Sequence, residues 1–511
     1  MTEPRVAHRA ILLSLSGIIL GGFVGNLSST IVATSLPRVM ASLNGSVRDY
    51  TWVVVTYLLM LTVTVPIWGK LADLFDKKRL FVTAMSVYLA GSACAGLAIN
   101  PAMLIGARTL QGIGTGGLTA LGGTIVAAIV SPRMRGRYSS YNGISIAVGT
   151  ISGPLIGGLL VETPVVGWRA CFYVSLPLGL AAMWLVHRHV EVPNRPGRSR
   201  VDVLGAVLVV GAVVPLMLWL SLGDDVFAWW SAPAVALLLA GVLLSIAFVV
   251  VERRVADPLL PLRMFSHRVI ALTVVGSLVA GMVSLGAPIF IAQFLQIGRG
   301  LAPTTAGLAT IPLIAGSFSG IFFGGRLISR LGVLKPFLVA GAVCQLVGAA
   351  LLAVSAASMP YAVIAADLFV LGIGVGILQQ HVIIAVQNAL PAHQLGVGTA
   401  SLWFARFLGG AAGVAALGAV LKAVIAGRVQ DGAARIGVAM TYDQATEVPN
   451  LGRIGDALAG VYEHAYSTAF GVIFAVIAPL TLITLGCIAL MPEVPMHDRV
   501  PVVEEEPVAQ H

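Results

Sequence analysis

The residues of this sequence that suggest chemistry are ionisable groups inside long apolar runs. Of the 22 acidic residues, only Asp367 lies well inside such a run, seven residues after Pro360. Arg108 has the matching place in another run, seven residues after Pro101. Because a lone charge at membrane depth costs about 3 kcal/mol on insertion scales, such an acid is a functional candidate by default. Asp367 is therefore a candidate proton carrier, with a fixed structural pair and direct substrate contact as alternatives.

Other polar side chains inside apolar runs have two readings each. Histidine titrates near neutral pH, so His381 is a second candidate proton relay, although a lone histidine is more often a packing residue. Arg406, with Trp403 one turn earlier, would hold an anionic or aromatic substrate or make a local structural bond. Side chains that would line a pathway, or only bond one helix to another, are Asn26, Gln111, Asn142, Gln293, Gln296 and Gln345.

A charged loop from Gly69 to Arg79 is a candidate gate. A glycine permits close approach of another helix, and a carboxylate followed by a basic run forms a latch that can pair in two arrangements. A solvated turn with ordinary lysines is the alternative. The residues of this candidate gate are Gly69, Asp73, Asp76, Lys77, Lys78 and Arg79.

The stretch from Asn142 to Leu160 is apolar enough to cross a bilayer and is rich in glycine. Small residues four apart let another helix approach closely, and a proline removes a backbone donor and bends the helix. This pattern predicts a helix that packs closely and hinges, or an ordinary packing helix. The residues concerned are Gly149, Gly153, Pro154, Gly157 and Gly158.

The composition requires that these residues lie on membrane-spanning helices. The 511-residue chain is 58% apolar and 10% charged, whereas soluble domains carry roughly 25% charge. Its apolar runs recur at lengths of roughly 20 residues, which predicts an all-α polytopic membrane protein. The four cysteines lack metal-ligand or disulfide spacing.

The apolar runs predict fourteen spans and an orientation. With both termini assigned to the cytoplasm, cytoplasmic segments hold 20 of the 31 Lys and Arg, outer segments 8 and the spans 3. This bias predicts a multi-pass protein of the cell (inner) membrane and explains the net charge of +9 without nucleic acid. The predicted spans are 10–33, 51–69, 80–98, 102–129, 139–160, 170–187, 203–221, 232–251, 269–292, 303–325, 335–355, 361–386, 396–421 and 466–490.

An internal repeat divides the chain. Gly112-Ile-Gly-Thr-Gly recurs as Gly372-Ile-Gly-Val-Gly, 260 residues later, and Gly69-Lys-Leu-Ala recurs as Gly325-Arg-Leu-Ile, 256 residues later. Parallel halves of this kind place a substrate site between them. We predict a six-helix half at 1–187, a linker with two inserted spans at 188–268, a second half at 269–490 and a disordered tail at 491–511.

Several of these stretches resemble, in chain order, motifs of the major facilitator superfamily. Gly69 to Arg79 resembles its loop motif, Arg108 to Gly112 its RxxQG motif, and Gly149 to Gly158 its GxxxGPxxGG antiporter motif. The resemblance covers roughly residues 10 to 490 and is to drug:proton antiporters with fourteen spans. Further matches are Trp52, Tyr57, Trp168-Arg169, Phe172, Pro177, Leu295-Gln296, Gln387-Asn388-Ala389 and Arg406 to Gly410.

The resemblance implies the major facilitator fold and export of lipophilic drugs or amphiphilic metabolites by proton antiport through alternating access. It implies that the spans containing Arg108 and Asp367 line the central cavity. It also implies that Arg108 influences the protonation of a neighbouring carboxylate, with hydrogen bonding to helix ends as the alternative. The expected partners are protons, a small substrate and membrane lipids, for a monomer without cofactor or metal.

The departures from the family pattern concern charge. Ser28 stands where the family usually has an aspartate in the first span, so a titratable group that relatives could use is missing. In the loop motif, Leu74 replaces an arginine and Asp76 replaces a glycine. The latch is therefore expected to be tuned differently, and a preference for cationic substrates does not follow. Ser28 remains a candidate for the cavity wall.

Enzyme classes are not supported by the sequence. It has no GxxxxGK[ST] phosphate-binding loop and no paired metal-ligand motif. The expected function is secondary active export. The alternatives are a dedicated exporter of one endogenous metabolite or lipid, a transporter that imports or equilibrates a polar metabolite, and a non-transporting sensor on a degenerate transporter fold.

Overall fold

A computed structural model describes residues 3–161, 167–191, 202–223, 227–301, 303–356, 359–446 and 455–494. The described residues form fourteen helices of at least fifteen residues, which we number α1 to α14. They are α1 (Glu3–Ser42), α2 (Val47–Leu74), α3 (Lys77–Gly96), α4 (Pro101–Ile129), α5 (Pro132–Val161), α6 (Ser175–His189), α7 (Val203–Leu222), α8 (Ala232–Glu252), α9 (Arg268–Gln293), α10 (Ile311–Leu331), α11 (Lys335–Ser355), α12 (Tyr361–Ala389), α13 (Leu395–Arg435) and α14 (Asp456–Leu490).

Each of these helices falls on one of the predicted spans, but they are not equally apolar. Twelve stretches of the described chain are long and apolar enough to cross a membrane. The helices outside that set are α3 and α5. Both begin with basic residues, Lys77 to Arg79 and Arg133 to Arg137, and α5 continues with serine, asparagine and glycine. These polar residues lower the mean hydropathy of α3 and α5.

The helices pair in the same way in the two parts of the chain. In α1–α6, α4 packs against α2 and α3, and α1 packs against α5 and α6. In α9–α14, α12 packs against α10 and α11, and α9 packs against α13 and α14. We call these two groups the amino-terminal and carboxy-terminal halves. The inserted helices α7 and α8 pack on each other, and α7 also contacts α2 and α13.

The repeated glycine pattern places α4 between its neighbours. An added Cβ atom at Gly112 would lie 2.6 Å from the Tyr57 carbonyl oxygen of α2, and one at Gly114 would lie 2.5 Å from the Tyr88 nitrogen of α3. Gly116 faces α2 again. The same division holds in α12, where Gly372 and Gly376 meet α10 and Gly374 meets α11. Small residues on two sides of one helix let it pack closely between two others.

Candidate functional site

Asp73, at the end of α2, binds the start of a helix in the opposite half. Its carboxylate accepts hydrogen bonds from the backbone N–H groups of Gly396 (2.7 Å) and Val397 (2.8 Å). These groups belong to the first turn of α13, which begins at Leu395. N–H groups there lack partners within the helix and carry partial positive charge. The carboxylate therefore fastens α2 to α13 by charge-assisted hydrogen bonds.

Glycines on both helices make this contact geometrically feasible. A Cβ atom added at Gly69 would touch the Ala400 side chain and lie 2.8 Å from the Gly396 carbonyl oxygen. A Cβ atom added at Gly396 would in turn touch the Gly69 carbonyl oxygen and lie 2.7 Å from Asp73 Oδ1. Any larger residue at either place would push the helices apart and lengthen the hydrogen bonds of Asp73.

Asp76, in the same charged loop, is used within its own half. Asp76 caps α3, because its Oδ1 atom accepts a hydrogen bond from the Arg79 N–H group at 2.8 Å. Burial lowers the pKa of the neighbouring Lys77 ammonium, while the charges of Asp73 and Asp76 oppose that shift. Lys78 is half-buried and Arg79 is exposed. The acid at position 76 thus defines where α3 begins, and the contact between the halves depends on Asp73.

A second contact between the halves, α5 with α10, repeats the first. A Cβ atom added at Gly325 would touch the Gly136 carbonyl oxygen and the Ser140 side chain. Ser140 Oγ donates a hydrogen bond to the Ile321 carbonyl oxygen at 2.8 Å. Gly325 is the repeat partner of Gly69, so each half uses the same place in its sequence to approach the other.

Arg135 links α5 to the end of α12 and is a site residue that sequence analysis missed. Its guanidinium donates to Asn388 Oδ1 and to the Ala127 carbonyl oxygen, both at 2.8 Å, and the side chain is only 1% exposed. The sequence analysis counted it only as one surface charge of the Arg133 to Arg137 cluster. A usable signal was present, because alternate residues on a helix point about 200° apart. Arg133, Arg135 and Arg137 occupy every second position, so their side chains cannot all point to one solvent-facing side of the helix.

Between the halves lies a cavity of about 270 Å³, which we call the central cavity. It is bordered by α1, α2, α4 and α5 from one half and by α9, α12 and α13 from the other. None of the described residues that line it carries a formal charge. Substrate binding there would rest on hydrogen bonds and apolar contact. Its polar lining residues are Asn26, Ser29, Tyr57, Thr115, Thr119, Ser139, Asn142, Gln379, Gln380, Gln387 and Trp403.

A larger and mostly apolar crevice of about 470 Å³ adjoins the central cavity. It lies among α2, the inserted helix α7, α9 and α13, and we call it the apolar crevice. Leu58, Leu285 and Phe407 border both spaces. The charged residue in its described lining is Lys422. The sequence did not predict this crevice, because most of its walls are ordinary apolar side chains from distant helices.

Comparison with known proteins decides the family. The model of the Major Facilitator Superfamily matches residues 18–414. The chain belongs to this superfamily. It is accordingly a multi-pass membrane transporter and not an enzyme.

Its relatives within the superfamily include named efflux proteins. An uncharacterized transporter of Mycobacterium tuberculosis is 32% identical over 94% of this chain and 70% of its own length. The multidrug transporter protein MdtP of Bacillus subtilis is 30% identical over 82% of this chain and 77% of its own. Multidrug resistance protein 3 of the same organism is 27% identical over 92% of this chain and 94% of its own.

Solved structures confirm the major facilitator fold. The proton:xylose symporter XylE superposes with a TM-score of 0.64 over 96% of this chain and 97% of its own, at 14% identity. The human organic anion transporter MFSD10 gives a TM-score of 0.61 over 92% of this chain and 99% of its own, also at 14% identity. At this identity the similarity concerns the fold alone.

Arg108, a family-motif residue in this superfamily member, is held inside the amino-terminal half. Its Nη1 atom donates to Gln111 Oε1 at 2.9 Å, and Gln111 Nε2 donates to Ser92 Oγ at 2.8 Å. The guanidinium lies 4.0 Å from the centre of the Tyr57 ring, which borders the central cavity. Arg108 therefore contacts the wall of the central cavity at the Tyr57 ring. The observed polar partners of Arg108 are not carboxylates.

Asp367 lies at the matching depth of the carboxy-terminal half and has a hydroxyl partner. Its Oδ2 atom accepts a hydrogen bond from Ser355 Oγ of α11 at 2.6 Å, and the side chain is 5% exposed. The structure does not bring it to Arg108, because each group bonds to helices of its own half. Asp367 also lies outside the described lining of the central cavity. Its role as proton carrier stays a prediction.

His381 and Arg406 are buried and bonded to backbone carbonyl groups. His381 Nδ1 lies 3.0 Å from the Ile377 carbonyl oxygen one turn earlier, and its Nε2 atom has no partner among the described residues. Arg406 donates from Nη1 to the Gln379 carbonyl oxygen at 2.7 Å, which ties α13 to α12. Arg406 makes the structural bond that the sequence left as one alternative, whereas Trp403 borders the central cavity.

The remaining predicted pathway residues divide into two groups. Asn26 and Asn142 line the central cavity. Ser28 is buried on another side of α1 from its cavity-lining neighbour Ser29. The predicted pathway residues outside the described lining of the central cavity are Ser28, Gln111, Gln293, Gln296 and Gln345. Of these, Gln111 is buried and bonds to Arg108, and Gln296 is exposed.

The antiporter-motif stretch packs against α1. Added Cβ atoms would touch Thr30 Oγ1 at Gly153 and lie 2.7 Å from Thr34 Oγ1 at Gly157 and 3.2 Å from Asn26 Nδ2 at Gly149. Helix α5 continues through Pro154 and Gly158 to Val161. The glycines thus form the close contact predicted from their spacing, and hinging at Pro154 stays a prediction.

We predict that Asp73→Asn loosens the contact of α2 with α13. The substitution removes the negative charge at the helix start, which is worth about 1 kcal/mol, or about a fivefold shift in the equilibrium between closed and open contacts. Spin labels on the exposed Arg79 and Arg330, one in each half, would report a longer separation in pulsed electron resonance. Asp76→Asn is the matched control, because its carboxylate caps α3. Equal distance distributions in Asp73→Asn and wild type would contradict this assignment.

We predict that Gly153→Val reduces transport much more than membrane insertion. The side chain would overlap Thr30, and overpacking of this kind costs about 1–3 kcal/mol. Transport per inserted protein would fall at least fivefold. Gly106→Val is the control, since a Cβ atom there meets nothing within 4 Å. Normal transport by Gly153→Val would show that the α1–α5 contact serves only to pack the two helices.

Proposed function

We propose that this chain exports lipophilic or amphiphilic compounds from the cell in exchange for protons, by alternating access. In this proposal all fourteen long helices cross the cell membrane and both termini are cytoplasmic, as the distribution of Lys and Arg favours. The contacts of α2 with α13 and of α5 with α10 then lie at the cytoplasmic end. They close the central cavity on that side and must break before a substrate enters from the cytoplasm.

The observation that carries this proposal is that the central cavity and the apolar crevice share Leu58, Leu285 and Phe407 in their walls. A polar cavity beside an apolar one suits a molecule with a hydrogen-bonding part and a lipophilic part. Because no charged residue is found in the described lining of the central cavity, neutral amphiphiles suit it at least as well as cations. The multidrug transporter names of the relatives and the antiporter motif at Gly149 to Gly158 favour export over uptake.

The free energy of the proton gradient is of the order that such a cycle needs. One charge crossing 100 mV releases about 2.3 kcal/mol. Asp73 accepts two hydrogen bonds, each worth about 1.5–3 kcal/mol, so opening its contact costs about as much as one to three such charges release. Asp367 is the candidate for the coupling group, because it is the acidic residue well inside a predicted span and is buried.

A set of three fluorophores that differ only in an ammonium, a neutral amide or a carboxylate tests the proposal. Purified protein in vesicles should move the neutral compound at least as fast as the cation, and only with an imposed pH gradient. Ala415→Trp, which fills the apolar crevice, should slow transport at least fivefold, whereas Ala416→Trp on the exposed side of α13 should not. Transport restricted to the cation, or independent of the gradient, would contradict the proposal. Transport of one endogenous lipid alone would favour the dedicated exporter.

We predict that Asp367→Asn abolishes substrate-induced proton movement while the protein remains folded. Asparagine keeps the size of the side chain and still accepts the Ser355 hydrogen bond, but it cannot release a proton. Ser355→Ala is the matched control, because it removes the hydrogen bond but keeps the acid, so substrate-induced proton movement should remain. Unchanged proton flux through Asp367→Asn in a pH-sensitive dye assay would exclude Asp367 as the coupling group.

A further inference from the structure

Two buried carboxyl groups meet at one end of the inserted helices. Asp202 precedes α7 and is 8% exposed, and Glu252 is the last residue of α8 and is 3% exposed. A Cβ atom added at Gly205 would touch Asp202 Oδ2 and lie 2.9 Å from Glu252 Oε1. The glycine thus leaves the space in which the two side chains approach each other. Neither group belongs to a family motif or to the two cavities described above.

One oxygen of each carboxyl group is buried without a partner among the described residues. Asp202 Oδ1 accepts a hydrogen bond from the Gly205 N–H group at 2.8 Å, and Glu252 Oε1 accepts one from the Leu260 N–H group at 3.3 Å. The oxygens without such a partner in the described part of the chain are Asp202 Oδ2 and Glu252 Oε2. Two ionised carboxylates that approach the same glycine would repel each other, and their unpartnered oxygens would remain desolvated. A proton on one of the groups removes the repulsion.

The helix ends determine which group holds the proton. Asp202 caps the start of α7, where the helix dipole stabilises negative charge. Glu252 lies at the end of α8, where the same effect opposes negative charge. The other charged group that faces Glu252 is Lys70 of α2. Lys70 Nζ donates a hydrogen bond to the Pro258 carbonyl oxygen at 2.8 Å, so its bond is to the loop between α8 and α9.

We propose that Glu252 binds a proton at neutral pH beside Asp202, forming a protonation site on the inserted helices. Loss of this proton leaves two negative charges beside Lys70. The ammonium group then gains a stronger partner than the Pro258 carbonyl and leaves the loop. Lys70 follows Gly69 and is three residues before Asp73, so the proton alters the end of α2 that fastens the halves together. This site is independent of the substrate and of Asp367.

Thermal unfolding as a function of pH tests the site on purified full-length protein. An unfolded glutamate ionises near pH 4.3, whereas Glu252 keeps its proton in the folded protein. The unfolded state therefore gains stability relative to the folded state as the pH rises above about 4.3. We expect the melting temperature of wild type to fall relative to Glu252→Gln by about 1–3 °C per pH unit up to neutrality. Glu463→Gln changes an exposed glutamate, so its melting temperature should vary with pH in the same way as that of wild type.

Parallel curves for wild type and Glu252→Gln, or a relative gain by wild type with rising pH, would overturn the proposal. A second measurement needs no variant and applies even if Glu252→Gln does not fold. Among the described residues Glu252 is the buried glutamate, so protein labelled with ¹³C at glutamate carboxyl groups should show one protonated glutamate band in its infrared spectrum at pH 7. Only ionised glutamate at that pH would equally overturn it.

Discussion

The structure depends on one interaction between the halves, the carboxylate of Asp73 at the start of α13. Helices in a membrane satisfy their own backbone groups except at their ends, so a helix start is one of the few places where another helix can bind strongly. Asp73 uses the Gly396 and Val397 N–H groups there, and Gly69 brings the backbones close enough. The contact is specific in position and consists of two hydrogen bonds, which suits a junction that opens and closes in the proposed function.

The α5–α10 contact lies at the repeat-related place in the sequence but differs in chemistry from the α2–α13 contact. Gly325 approaches Gly136 as Gly69 approaches Gly396, yet no carboxylate follows Gly325 in the Arg326-Leu-Ile-Ser sequence. The second contact is instead held by the hydroxyl groups of Ser140 and Ser329, whereas Arg135 ties α5 to the end of α12. A carboxylate therefore holds one contact between α-helices of the two halves, and hydroxyl groups hold the other.

Sequence analysis predicted the elements well and the partners poorly. The fourteen long helices and the close packing of another helix at Gly153 follow from runs of apolar residues and from glycine spacing, which are local properties of one helix. The partner of Asp367 did not follow, because burial and repeat position say how deep a group lies but not which way it points. Asp367 faces Ser355 within its own half, not Arg108. The apolar crevice was missed for the same reason.

Helix α7 contacts both the apolar crevice and the carboxyl pair. It forms a wall of the apolar crevice through Met217, Leu220 and Ser221. At its other end Asp202 approaches Glu252, and Lys70 of α2 also faces Glu252. Pro215 lies between these two ends and removes a backbone hydrogen bond, so α7 bends most easily there. In the proposed function, occupation of the crevice and protonation of the carboxyl pair therefore act on the same helix from opposite sides of this proline.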